Sequence, residues 1–396
     1  MSQKVHYFSF YLDEKMENGR EAHPGSFTKI EYVKKALIRS GVNLTLISTS
    51  LAESKAGFLN KKIFKISESE SHIYLATFRY KGKVFNKLTL MFMWLQIIWY
   101  VLIQVKKDDC VLVYHSLAYI EPFKLLKKIK KFNMILELND LYHVVGDNLL
   151  HLKEKETNFI EIADEYIFIN SLVEKKFNQG KPYVLSYGNY EVPKRVNEQT
   201  SDGKTHIVYA GIIENGRKAA ELAVKSSIYL NEKFIMHILG FGNEIDINNL
   251  EKEIEEVNKQ KGYKAVIFHG RLRGNKYSRF LHSCHIGVSS HAYLQEEMES
   301  ANYTFPSKIP TYMSHDLKVV SPNIPCVFES PFAEFTDFYN EHTPQAIAQT
   351  IKKSAEAISN NTDLKRRPSQ LIKELDINFN RGIKMLTRHS VGVMDA

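Results

Sequence analysis

Short continuous apolar runs alternate along this chain with longer stretches whose apolar residues recur at three- and four-residue intervals. The first run, "KVHYFSFY", leads through the polar "ENGREAHPGS" to a helical pattern, "FTKIEYVKKALIRSG", that stops at Gly41. Glycine just past the last periodic residue is a good helix stop. "VNLTLIST", "CVLVYHS", "NMILELND", "EYIFIN" and "PYVLSYG" repeat the strand signature, and "EPFKLLKKIKK" is one of the helices between them. Runs that are apolar on both faces, with helices between, predict a parallel sheet covered on both sides.

Residues 188–204, "GNYEVPKRVNEQTSDGK", carry turn formers and no apolar period, so they read as a linker. The rhythm then restarts. "THIVYAG", "FIMHILGFG", "AVIFHG", "IGVSS" and "LKVVSP" are five strand-like runs, separated by the helical "GRKAAELAVKSSIYL", "NNLEKEIEEVNKQ", "YSRFLHSC" and "FPSKIPTYMSH". The expected organisation is two Rossmann-like, doubly wound α/β domains, at 1–190 and 205–370, joined at 191–204. A helical tail at 371–396 would be able to pack back on the first domain. Such domains bind ligands beyond the carboxyl ends of their strands, and two in series are expected to face each other across a cleft.

"LTLMFMWLQIIWYVLIQV", Leu88 to Val105, has no charge and is flanked by Lys87 and Lys106. Its length reaches the lower edge of a membrane span. Two glutamines, Thr89 and the strand that follows almost at once favour a buried crossover helix instead. A partial dip into a bilayer surface agrees with that reading as well.

A chain of 396 residues with 44% hydrophobic and 25% charged residues is ordinary globular protein, and two domains suit its length. Its three cysteines, Cys110, Cys284 and Cys326, are scattered and form no CxxC pair. Neither a disulfide framework nor a zinc site is expected, and with no leader-like start the expected setting is the cytoplasm. Of the net charge of +8, residues 1–200 carry most, with 29 Lys and Arg against 22 Asp and Glu. Runs such as "KLLKKIKKFN" suit an anionic acceptor or membrane surface. Nucleic acid is not expected, because aromatic and basic residues are not interleaved in the patterns that bind it.

Four words in order in the second half, "VYAGIIENGRKAAELA", "ILGFGNE", "VIFHGRL" and "FPSKIPTYMSHDLKVVS", resemble the donor domain of GT-B glycosyltransferases, and most of all the retaining family 4. The first half is similar in layout. The chemistry of each word agrees. A leaving diphosphate needs backbone N–H groups and cations at a helix start. The resemblance implies donor contacts at Gly211, Arg217, Lys218, Gly270, Arg271, Tyr303, Phe305, Pro306, Ser307, Lys308 and Thr311. Lys218 falls on the family's lysine, whereas Ile212 stands where the family has arginine, so Arg217 is the candidate substitute. Pro306 opens the last helix, with Thr304 as its N-cap, and Pro310 inside it is unusual. In the first half the loop residues His23, Gly25 and Ser26, with His115, are candidates for the acceptor side. Asn139 occupies the place of a sugar-contacting histidine, beside Glu137 and Asp140.

Two family glutamates map to Tyr303 and Thr311. Either another carboxylate, Glu299 before Glu297 or Glu296, serves the donor sugar, or the site has stopped turning over. The first reading makes Glu299, Asn139 and Asp140 the catalytic candidates in a glycosyltransferase using a nucleotide sugar, with UDP as the expected nucleotide. It would act without a metal on a glycan or lipid-linked acceptor in surface-polysaccharide synthesis, with a peripheral membrane contact. The second reading makes the chain a non-catalytic partner or glycan-binding protein.

Overall fold

In β1 (Lys4–Ser9), Val5, His6, Tyr7, Phe8 and Ser9 are all buried, as expected of a strand covered on both faces. The computed structural model describes residues 3–13, 19–21, 24–53, 57–145, 149–195, 202–214, 216, 218–291, 298–360 and 366–389. The chain divides into two units, Met1–Asn189 with Ile377–Ala396, and Tyr190–Asp376.

The first unit adds to β1 the strands β2 (Asn43–Ser48), β3 (Phe58–Leu59), β4 (Lys62–Lys65), β5 (Glu70–Tyr74), β6 (Thr77–Phe78), β7 (Cys110–Tyr114), β8 (Asn133–Leu138), β9 (Glu165–Phe168) and β10 (Tyr183–Leu185). Its main sheet has the order β10-β9-β8-β7-β1-β2-β5-β4, parallel except for the edge strand β4. The chain winds outward in both directions from the β1–β7 junction. The helices are α1 (Pro24–Arg39), α2 (Lys83–Gln104), α3 (Ile120–Ile129), α4 (Tyr142–Val145), α5 (Lys153–Glu161) and α6 (Ser171–Phe177). The small β3–β6 pair and the edge pair β4–β5 escape the apolar-run pattern. β4, "KIFK", is mostly exposed and has no continuous apolar stretch to announce it.

The expected crossover helix is α2, and it is buried on one face only. Met93, Ile97, Tyr100 and Val101 face the sheet, while Leu88, Met91, Leu95, Trp99 and Leu102 are exposed. Gln96 is tied to the backbone of Ala76, and Trp94 Nε1 donates to Ala118 O at 2.8 Å, so the helix is fixed to its own unit.

The second unit holds β11 (Thr205–Ile213), β12 (Phe234–Gly242), β13 (Val266–Phe268), β14 (Ile286–Val288), β15 (Lys318–Pro322) and β16 (Thr336–Tyr339). Their order, β13-β12-β11-β14-β15-β16, is all parallel and doubly wound about the β11–β14 junction. The sixth strand, "TDFY", is too short to stand out in sequence. Its helices are α7 (Ala219–Ser226), α8 (Glu244–Lys261), α9 (Gly274–His282), α10 (Met298–Ala301), α11 (Lys308–Ser314), α12 (Pro325–Phe328) and α13 (Pro344–Ser359). The last helix, α14 (Pro368–His389), begins in this unit. Its later residues belong to the first unit, where Phe379 stacks on Tyr32 at 5.1 Å.

A file of histidines crosses this second sheet. His206 Nδ1 lies 2.8 Å from His237 Nε2, and His237 Nδ1 lies 2.9 Å from His269 Nε2. Asp202 Oδ1, 3.1 Å from His206 Nε2, sets the direction of donation, since each neutral ring has one N–H. Burial pushes His237 down to about 3 and lowers His269, and it lowers the neighbouring His285 as well, so these three rings are held neutral.

Candidate functional site

β11 and β14 pair only as far as Val208 and Gly287, then part. Tyr312 of α11 fills the gap. Its ring lies against Gly287, where any Cβ would collide with it, and its hydroxyl accepts from Ala210 N at 2.8 Å. This fixes α11 over the switch point, the place where open parallel sheets take ligands. Tyr312 was not among the sequence candidates. The signal lay in the pairing of a large ring in "IPTYM" with a glycine inside a strand.

Above the junction, β11 ends beneath Lys308. A Cβ on Gly211 would stand 2.6 Å from Lys308 Cε and 3.1 Å from its Nζ. The ammonium also lies 4.7 Å from the centre of the Tyr209 ring. Two sequence candidates far apart in the chain are thus brought together, and the glycine is what lets the lysine cross the strand end. Gly240 and Gly242 serve the same edge, because a Cβ on either would strike the carbonyl oxygen of Gly211 or Ile213. At the end of β13, Gly270 is left-handed with φ 64° and turns the chain. The next residue, Arg271, places its guanidinium 4.1 Å above the centre of the exposed Phe241 ring. Phe241, between two glycines in "GFG", is the second residue missed.

The remaining donor candidates divide. Phe305 is buried against Phe332 at 5.3 Å and fills the core. Pro306 and Ser307 precede α11 rather than open it. The helix begins at Lys308, with Ser307 and not Thr304 at its N-cap. That shift explains Pro310, which stands in the first turn, where its missing N–H leaves no bond unmade. At seven residues, α11 also contributes less of a dipole than the sequence suggested. Thr311 Oγ1 donates to Ser307 O at 2.9 Å, within its own helix. Tyr303 lies in the turn after α10, with its N–H on Ser300 O.

Lys218 caps α7 in the left-handed region at φ 46°, which is costly for a residue with a Cβ. It is exposed, and it borders a cavity of about 130 Å³ walled also by Glu214, Glu221, Asp246 and Glu253. That acidic recess is unsuited to a diphosphate, so Lys218 can serve one only from the cavity's rim. Ser290 Oγ donates to Ala219 O at 2.6 Å and ties α7 to the loop after β14. Arg217 lies outside the described residues. So do Glu296 and Glu297, while Glu299 falls on α10 with its side chain outside the described atoms.

In the first unit, the carboxyl edge is built around two buried carboxylates. Glu137 accepts from Tyr7 Oη at 2.5 Å and from Asn139 Nδ2 at 2.8 Å. Burial raises its pKa further than these hydrogen bonds lower it. Asn139, a catalytic candidate, is itself buried. Glu156, fully buried, accepts from Tyr142 N, His143 N and His143 Nδ1 at 2.8, 2.9 and 2.6 Å. His115 Nε2 stands 3.3 Å from its other side, and His115 Nδ1 donates to the Asp140 carbonyl at 3.0 Å. His115 is therefore a buried packing residue, which corrects its expected place on the acceptor side. Asp140 remains half-buried at the edge. His23 lies outside the described residues. Gly25 and Ser26 belong to the first turn of α1, not to a loop, and the Ser26 side chain is outside the described atoms.

No family profile matches the chain, and no curated protein is similar to it in sequence. Solved structures are similar in fold. An E. coli trehalose-6-phosphate protein bound with UDP-2-fluoro glucose superposes with TM-score 0.68 at 9% identity, over 99% of this chain and 100% of that one. Sucrose-phosphate synthase from Thermosynechococcus elongatus gives 0.62 at 14% identity, over 97% and 96%. A UDP-forming trehalose-phosphate synthase from Burkholderia xenovorans, in complex with glucose-6-phosphate, gives 0.61 at 10%, over 98% of both chains. At such identities the likeness is one of fold, and the fold is GT-B.

Proposed function

We propose that the chain is a glycosyltransferase that takes a sugar from a nucleotide diphosphate donor, with UDP as the nucleotide. The observation that carries this reading is Lys308 lying across Gly211 at the switch point. A cation held over a strand end, with no side chain between it and the backbone, suits the phosphates of a leaving diphosphate. Arg271 stacked on Phe241 supplies a flat, exposed surface fit for a base. The solved relatives whose descriptions name UDP or a UDP-sugar support the choice of nucleotide. In this reading the leaving diphosphate is met by lysine and arginine rather than a metal, and transfer proceeds with retention, as the resemblance implies. The acceptor is a glycan or lipid-linked sugar of a surface polysaccharide, met in the cytoplasm by the basic first half, which also touches an anionic membrane.

The test is a melting curve with a panel of nucleotides and nucleotide sugars. Ligand at a hundred times its dissociation constant should add about 2.7 kcal/mol. If none of the panel shifts the curve, the donor site is absent. One observation favours the non-catalytic alternative: the Thr311 hydroxyl, at a place where the family has a carboxylate, is turned back on its own helix. Nucleotide binding without turnover on any donor would select that alternative.

A further inference from the structure

The exposed side of α2 has the pattern of a surface that leaves water. Val84, Leu88, Met91, Leu95, Trp99 and Leu102 follow one another at spacings of three and four, which places them on one helix face. Leu95 and Trp99 are 65% and 70% exposed, and the other four are between 42% and 69%. From Val84 to Leu102 the stripe runs about 27 Å. No acidic residue occurs anywhere in α2, and its charges are Lys83 and Lys87. Lys81 precedes them, Lys106 and Lys107 follow the helix, and all five are exposed, with Asp108 the one exposed acid beside them. Next to α2, α3 adds exposed Leu125 and Ile129, with Lys124, Lys128 and Lys131 around them. Lys130 Nζ fastens the two helices by donating to Val101 O and Leu102 O at 2.9 and 2.8 Å.

We infer that α2 lies flat on an anionic lipid bilayer, with the Leu95–Trp99 face among the acyl chains and the lysines among the headgroups. The opposite face excludes a span. Ile97 and Val101 are in the core, and Tyr100 Oη is bonded to His6 Nδ1 at 2.9 Å, so the helix cannot enter the bilayer without dismantling the sheet. Charge selects the occupant. A second copy would bring lysines against lysines at both ends of the stripe, whereas anionic headgroups neutralise them. The inference deepens the membrane contact proposed above by naming the element that makes it, and its test needs no turnover.

The purified full chain is sedimented with phosphatidylcholine vesicles, with and without phosphatidylglycerol. Wild type should bind the anionic vesicles and bind the neutral ones far less. The pair Leu95→Gln and Trp99→Gln, both at exposed positions, should lower binding about tenfold or more. Lys83→Gln should lower it about fivefold, and added salt should mimic that change. Ile245→Gln, at an exposed apolar position in the second unit, should change nothing. With Trp94 replaced by Phe, the one remaining tryptophan, Trp99, should shift its emission to shorter wavelength on the anionic vesicles. Absence of wild-type binding, or full binding by the double variant, overturns the inference. So does a solution dimer that the double variant turns into a monomer, because the face would then belong to a second copy.

Discussion

At the carboxyl edge of β11 and β13, Lys308 crosses a glycine and Arg271 covers an exposed ring. At the same edge of β8, Glu137 is enclosed by Tyr7 and Asn139, and Glu156 is enclosed nearby by donors around α4. Both sheets are doubly wound, so topology alone offers the same site twice. Side chains decide the difference. One edge carries cations, and the other uses its buried polar groups on itself. The first suits the diphosphate of the proposed donor. The second is a rigid polar wall that leaves Asp140 as its half-buried carboxylate.

The largest effect that could break this contrast is on Glu156. If its role is to satisfy donors within the first unit, Glu156→Ala leaves two backbone N–H groups and a histidine unpaired in a dry site. Loss of about 3–5 kcal/mol in urea unfolding is expected, with UDP affinity unchanged in whatever fraction stays folded. A variant as stable as wild type would mean that the wall does not depend on this carboxylate.

Acid should expose the second unit next. Five of the described histidines there have lowered pKa values, His237 down to about 3 and His315 to about 4. Unfolded, each takes up a proton near its ordinary value of about 6.5. Stability is therefore full above that pH and falls as pH drops toward the folded value, by about 1.4 kcal/mol per pH unit for His237 alone. At two units below the ordinary value that amounts to about 2.7 kcal/mol. A urea midpoint that stays flat between neutral pH and mild acid would show that His237 is not held neutral.

Much of this was readable before the structure. Buried parallel strands print themselves as unbroken apolar runs, so β1, β7, β8, β11 and β12 were visible, as was the stop of α1 at Gly41. Features that depend on which side of an element is covered were not. In α2 both faces are apolar, so no periodicity distinguishes the face on Met93 and Ile97 from the face at Leu95 and Trp99. His115 read as a candidate because a histidine at a strand end is ambiguous until Glu156 is seen behind it. Lys308 and Gly211 were each legible, and their crossing was not, since it depends on Tyr312 seating α11 over the switch point.

Lys308→Ala tests that crossing directly. Lys308 is half-buried and outside the core, so unfolding should change little, while loss of one charge-assisted contact should cost about 2 kcal/mol of UDP binding, roughly thirtyfold. Isothermal titration would show it. Unchanged affinity would take Lys308 out of the donor site and leave the edge without its main cation.

The smallest effect is the most discriminating, because it separates backbone from charge at Lys218. The left-handed φ of 46° costs a side-chain-bearing residue about 1–2 kcal/mol, while glycine gives back about 0.5–1 kcal/mol in unfolded-state entropy. Lys218→Gly should therefore stabilise the fold by about 0.5–1 kcal/mol. If its ammonium serves the diphosphate from the rim of the acidic recess, the same variant should weaken UDP binding, though by less than Lys308→Ala. Strain kept at a position that binds ligand is what a functional site would retain. Stability gained with affinity unchanged would instead place Lys218 with the acids of α7 and α8, and confine the cationic edge to Lys308 and Arg271.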